Sequence, residues 1–155
     1  MESIVSDKLE RLKALANKAS ALTTYEVERK KNLKRLRALF ETLQLAQKVA
    51  RFEDIFDFKA INLSGISLTA ENLGKIAEGK YAQIIAITYI QEGGKRRAKN
   101  INLRYFGRVE HLDPALKNDI VEFILRWRLE KSFRGVDHYR NLLKSLENES
   151  KSDHS

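Results

Sequence analysis

The sequence predicts an α+β protein with an N-terminal long helical hairpin or coiled coil, a small β-sheet carrying a basic β-hairpin, and two C-terminal helices. Three observations lead there. Apolar residues in the first third recur at alternating four- and three-residue spacings, an isoleucine-rich run alternates from Tyr81 to Gln91, and an Asp113-Pro114 pair opens a second stretch of helical periodicity.

Val5, Leu9, Leu12, Ala16 and Ala19 form one heptad tract, and Leu33, Leu36, Phe40, Leu43, Gln47 and Ala50 form another. Between them Thr23-Thr24-Tyr25-Glu26 has the form of a capping box, with Thr23 covering a backbone N–H three residues on and Glu26 reaching back. Two helices over roughly 4–21 and 25–51 are therefore expected, folded as an antiparallel hairpin or joined end to end. The heptad faces close either within one chain or between chains, because each tract is shorter than a sustained coiled coil.

From Phe52 the character changes, as Phe52, Ile55, Phe56 and Phe58 interleave with Glu53, Asp54 and Asp57 in an acidic hinge whose aromatics anchor the helices to the C-terminal two thirds of the chain. Ala60 to Leu63 reads as a short strand and Ser64-Gly65 as a turn. Thr69 reads as the cap of a brief helix ending at Gly79. Tyr81 to Gln91 is the clearest strand; Glu92, Gly93 and Gly94 break it, and Ile101 to Phe106 returns, with Lys95, Arg96, Arg97 and Lys99 at or near the hairpin tip. Asp113 caps a helix with Pro114 at its first position. Leu116, Ile120, Phe123, Ile124 and Trp127 mark its inner face, and Gly135 ends it. Asp137 then caps a last helix whose Tyr139, Leu142, Leu143 and Leu146 pack inward. The expected organisation is a helical region over 1–51, a small α+β domain over 52–148 and a disordered tail over 149–155.

Composition narrows the function classes. The chain has 155 residues, enough for one domain with a real core, and no cysteine, which removes disulfides, thiolate metal sites and a cysteine nucleophile. Residues 1–22 lack the apolar run of a signal peptide, and Ile84 to Ile90 is too short to span a bilayer, so an intracellular address (cytoplasm, nucleoid or nucleus) and no membrane partner are expected. The formal net charge of +8 is patchy: +5 over 23–51 and +6 over 95–134, against −3 over 52–94. Two basic patches on one chain fit a polyanion, because a phosphate backbone releases counterions when it meets them.

The motifs with catalytic overtones are weak. Gly74-Lys75-Ile76-Ala77-Glu78-Gly79-Lys80-Tyr81 matches a phosphate-binding loop at both glycines and the lysine, but Tyr81 stands where a Mg²⁺-binding hydroxyl is needed. The expected order, helix then loop then strand, is also the reverse of what phosphate cradling requires. His111, His138 and His154 lack paired ligand spacing, and Glu53, Asp54 and Asp57 read as solvated acids. No catalytic residue, metal or cofactor is expected.

The reading that remains is a non-catalytic nucleic-acid-binding accessory or assembly subunit, for DNA or RNA. Its candidate contacts are Arg29, Lys30, Lys31, Lys34, Arg35 and Arg37 on the basic helix, Lys95, Arg96, Arg97, Lys99, Arg104 and Arg108 on the hairpin, and Arg126 and Arg128 beside Trp127. Trp127 itself falls in line with Phe123 and Ile124 and is assigned to the core. Tyr105 and Phe106 are candidate stacking residues, though strand alternation sends them to opposite sides. The alternative is a protein-protein scaffold or adaptor subunit, or a homo-oligomer, working through residues 1–51.

Overall fold

The computed structural model describes residues 2–153, without the side chains of 2, 3, 20–23, 152 and 153. Its elements run α1 (Glu2–Thr42), β1 (Ala60–Ser64), β2 (Tyr81–Glu92), β3 (Lys95–Arg108) and α2 (Pro114–Asp153), with short 3-10 turns at Leu45–Gln47, Phe52–Asp57 and Val109–His111. The class is α+β: a long helix, a three-stranded antiparallel sheet of order β1-β2-β3, and a long helix.

The expected N-terminal helical hairpin is instead one helix. No proline or glycine falls between residues 2 and 42, so Thr23 and Glu26 sit inside an unbroken helix and have no exposed terminus to cap. The helix also stops nine residues short of the expected 51. Gln44 turns the chain through a left-handed conformation at φ 55°, and the Arg104 guanidinium donates to the Leu43 carbonyl that the ending helix leaves unpaired. The two expected C-terminal helices are likewise one. Gly135 is tolerated within α2, since a glycine weakens a helix interior by only about 1 kcal/mol and the flanking turns are held against α1. That helix continues through 149–153, where a tail was expected; His154 and Ser155 lie outside the described residues. The brief helix expected after Thr69 is replaced by an irregular connection pinned by the Ile66–Ile76 bridge and by Ser67, whose N–H donates to the Lys75 carbonyl and whose carbonyl accepts from the Gly74 N–H. Gly65 enters this connection at φ +85°, where a Cβ would lie 2.6 Å from the Tyr81 carbonyl oxygen, so the chain needs glycine there.

Both helices lie against one face of the sheet. Leu36, Leu39, Phe40 and Leu43 from α1 meet Ile61, Ile84, Ala86 and Leu103 from the strands and Ile120, Phe123, Ile124 and Trp127 from α2 in one buried cluster. Core residues therefore come from both sides of position 51. The 3-10 turn at Phe52–Asp57 closes the end of the cluster, with Phe52, Ile55 and Phe56 buried and Glu53, Asp54 and Asp57 exposed. Side chains of α2 satisfy this turn's carbonyls: Trp127 Nε1 donates to Ile55 O at 2.9 Å and Lys131 Nζ to Phe56 O at 2.9 Å. Beyond the core, Val5, Leu9, Leu12, Tyr139, Leu142, Leu143 and Leu146 are exposed, so the three large residues of the first heptad tract are not buried in a seam and the last four residues do not pack inward as expected.

The sheet is locked by register. β1 pairs Ala60 with Ile87 and Ser64 with Gln83; β2 pairs Glu92 with Lys95 around Gly93-Gly94 and Tyr81 with Arg108 at the far end. Two register shifts on β3 leave Leu103 and Phe106 without a direct partner. These bulges reset the alternation, so Leu103 is buried and Phe106 is packed against the core while Tyr105, between them, is exposed.

Trp127 is only 3% exposed and its indole N–H is bonded, so Trp127→Ala removes both packing and a buried hydrogen bond. It is expected to lower stability by about 3 to 5 kcal/mol. Chemical denaturation measures this, and a midpoint equal to that of the unmodified chain would contradict the core assignment.

Candidate nucleic-acid interface

The fourteen candidate basic residues divide into those the fold engages and those it leaves to solvent. On α1 the seam toward α2 follows Tyr25, Arg29, Asn32, Leu36, Leu39 and Leu43, a four-three repeat one helical row away from the run of lysines. Arg29 thus points into the helix pair, where its guanidinium meets Glu130 at 2.9 Å and also Asp137; Glu130 is fully buried and takes a second bond from Arg134 at 3.2 Å. These two carboxylates hold the Arg29 guanidinium protonated, raising its pKa against the opposing effect of burial. Asn32 is buried and bridges to Arg126 twice, donating to its carbonyl at 3.0 Å and accepting from its guanidinium at 3.1 Å. Arg35 binds Glu122 through both Nε and Nη2 at 2.9 Å, and Arg126 reaches the same carboxylate at 2.6 Å. Arg37 pairs with Glu53 at 2.9 Å and lies over the Phe52 ring.

Lys30, Lys31 and Lys34 remain exposed on the outer side of α1 with no acidic side chain in ion-pair range. Arg128 donates to Ile61 O and Asn62 Oδ1 at 3.3 Å along β1. Arg104, on the core-facing side opposite Ile84, holds the end of α1 and covers the Phe106 ring.

The other face of the sheet carries no helix. Cross-strand pairing places Asn62 and Ser64 of β1, Tyr81, Gln83, Ile85, Ile87, Tyr89 and Gln91 of β2, and Arg96, Asn100, Asn102, Tyr105 and Arg108 of β3 on this one surface. Three tyrosines lie on it. Tyr81 and Tyr105 sit side by side, ring centroids 5.8 Å apart and planes tilted by 36°, both about half exposed. Nearer the turn, the Tyr89 ring has the Arg96 guanidinium 3.6 Å from its centroid and the Lys59 ammonium at 4.8 Å, which holds the ring and both cations at the surface. Lys95, Arg97 and Lys99 occupy the opposite face of the same two strands, and only Arg97 is paired there, with Glu92 at 3.2 Å. Arg108 pairs with Glu110, whose carboxylate also accepts from the Gly79 backbone N–H, and this contact keeps it ionised below the usual range.

Tyr81, Tyr89 and the amides Asn62, Gln83, Asn100 and Asn102 are candidate contact residues that counting charge does not find. The signal for them lies in the odd positions of β2, where Tyr81, Gln83, Tyr89 and Gln91 are aromatic or amide while Ala82, Ile84 and Ala86 on the even positions are buried. Gly74 to Tyr81, the near match to a phosphate loop, is irregular chain running into β2 with no helix after it. Among the described residues no three His, Asp or Glu side chains gather as a metal-holding group; His154 lies outside them.

The contacts of Arg35 and Arg126 hold the Glu122 carboxyl down at about 2, well under its ordinary 4.5, against a smaller upward effect of burial. A depressed acid stabilises the fold above its unfolded pKa, so this contribution is complete above about pH 4.5 and is lost as pH falls toward 2. Glu122→Gln is expected to lower stability at neutral pH, by about 1 to 3 kcal/mol for a charged hydrogen-bond acceptor, and to flatten the acid limb of the stability curve. Denaturation midpoints between pH 2 and 7 measure both, and identical acid limbs would assign the acid sensitivity to other groups.

No family model, curated protein or solved structure matches this chain, so its functional reading rests on its own residues.

Proposed function

We propose that the chain is a non-catalytic nucleic-acid-binding subunit that receives a single strand on the uncovered sheet face, with its basic β-hairpin following the phosphates. The observation that carries this reading is the coincidence on one surface of Tyr81, Tyr89 and Tyr105 with Arg96, Arg108 and a row of amides. Tyrosine rings accept the faces of unstacked bases, arginines meet phosphates, and amides bond base edges or sugars; a flat face suits bases that are not already stacked in a duplex. The unpaired Lys95 and Lys99 extend the positive field to the other face of the hairpin. Pairing of Arg29, Arg35 and Arg37 with Glu130, Glu122 and Glu53 shifts the weight of the proposal from α1 to the sheet. Lys30, Lys31 and Lys34 are left as a secondary, nonspecific patch.

An intracellular role without chemistry on the nucleic acid fits this composition and surface. Among the described residues no helix is long and apolar enough to cross a membrane.

Salt-titrated binding to single- and double-stranded DNA and RNA tests the proposal. Single strands are expected to bind more tightly than duplexes. Tyr89→Ala and Tyr105→Ala are each expected to weaken binding by about 1 to 3 kcal/mol if each ring stacks on a base. Arg96→Ala is expected to reduce the slope of log affinity against log salt by roughly 0.7 for one lost phosphate contact on a single strand. Absence of binding at low salt, or binding indifferent to all three changes, would overturn it.

A further inference from the structure

The outward side of α2 carries a feature that nucleic-acid binding leaves unused. Leu125, Leu129, Val136, Tyr139, Leu143 and Leu146 lie at successive heptad positions, with Ser132 filling the remaining place, and all six apolar side chains are exposed, Leu143 by 59%. The stripe spans three heptads of one continuous helix with Ser132 as its single polar position, which is long enough for a coiled-coil seam. The residues bordering the stripe are arranged by sign. Arg126 and Arg128 flank its first half and Glu147 and Glu149 its end, and neither glutamate is paired within the chain.

We propose that this stripe is the interface for a second copy of the same chain, with the two α2 helices crossing antiparallel about a two-fold axis between Val136 and Tyr139. In that register Leu129 meets Leu146 of the second copy, Ser132 meets Leu143, and Val136 meets Tyr139, so every seam layer contains an apolar pair or a serine beside a leucine. The flanks are set by the geometry of antiparallel coils, in which like heptad positions on the two helices border each other. Arg128, whose partners within the chain are the neutral Ile61 carbonyl and Asn62 amide, falls beside Glu149 of the second copy, and Arg126, which already shares Glu122 with Arg35, falls beside its Glu147, each pairing made twice by symmetry. A parallel arrangement places arginines beside arginines and glutamates beside glutamates, and is disfavoured by the same charges. The end of the second helix reaches the groove lined by Leu73, Val121, Leu125 and Leu129, which covers the apolar surface that continues the stripe. α1 contacts the neighbouring row of α2, Glu122, Arg126, Glu130 and Asp137, and none of the six apolar residues of the stripe belongs to that row, so the buried Glu130 stays inside the intrachain pair. This self-complementarity of charge selects a second copy over an unrelated partner.

Light scattering across a concentration series decides the matter. The unmodified chain is expected to reach twice the mass of one chain, and Leu143→Asp to remain at the monomer mass with its thermal unfolding otherwise retained, because Leu143 is exposed within the chain. Arg128→Glu and Glu149→Arg are each expected to weaken association, and the two changes in one chain to restore it, since the restored pair forms only in the antiparallel register. A monomeric unmodified chain well above micromolar concentration, a dimer indifferent to Leu143→Asp, or charge reversals without rescue would each overturn the proposal. The measurement uses no nucleic acid, so its outcome is separate from that of the binding assay.

Discussion

A carboxylate buried without solvent, Glu130, sets the geometry of the helix pair on which the sheet is built. Leaving such a charge unpartnered costs several kcal/mol, so α2 folds stably only where Arg29 and Arg134 can reach it. Arg29 comes from the other helix, 101 residues away in sequence, which fixes the rotation and axial position of α1 on α2. Asn32 with Arg126 and Arg35 with Glu122 then repeat the constraint at the following turns, before Leu36, Leu39 and Leu43 take over with apolar contacts. The order matters: hydrophobic burial supplies most of the free energy, and the polar ladder selects one alignment among the several that leucine rows would accept.

With both helices committed to one side, the sheet acquires two unlike faces. Ala82, Ile84, Ala86 and Leu103 are buried under helices, while Ile85 and Ile87 are only half-buried on the bare face beside tyrosines and amides. The bulges at Leu103 and Phe106 keep this division intact near the end of β3. They turn both apolar residues inward and Tyr105 outward, which strict alternation cannot do. The surface proposed to bind and the core that supports it are therefore products of the same strand register.

Local signals in the sequence identified local structure. Pro114 marked the start of α2 to the residue, Gly93-Gly94 marked the turn, and the isoleucine alternation marked β2 within one residue of its end. Trp127 and Phe123 were legible as core because helical spacing joined them to Ile120 and Ile124. The errors arose where a local signal depends on what surrounds it. Thr23 to Glu26 caps only a helix that begins there, and Gly135 ends only a helix not held on both sides. The roles of Arg29, Arg35 and Arg126 were hidden for a different reason: their partners are acids 87 to 108 residues distant, or a neighbouring turn of α2, and a charge count treats a buried ion pair and a free cation alike. The open sheet face was half legible, since the alternation of β2 was visible but nothing in the sequence said that helices would cover only one side.

The end of the hairpin stands apart from the rest of the fold. β1 pairs only as far as Ile87, so the ribbon from Thr88 to Lys99 has neither a third strand nor a helix to support it, and residues 91–100 are all exposed. A strand rises about 3.3 Å per residue, which gives this ribbon a reach of roughly 15 to 20 Å beyond the core. Two strands alone are only marginally stable in water. The most basic part of the sheet is thus also the part with the fewest supporting contacts, bounded by solvent on both faces. A ribbon held only by its own two strands can change its twist without disturbing the core, because no helix packs on it.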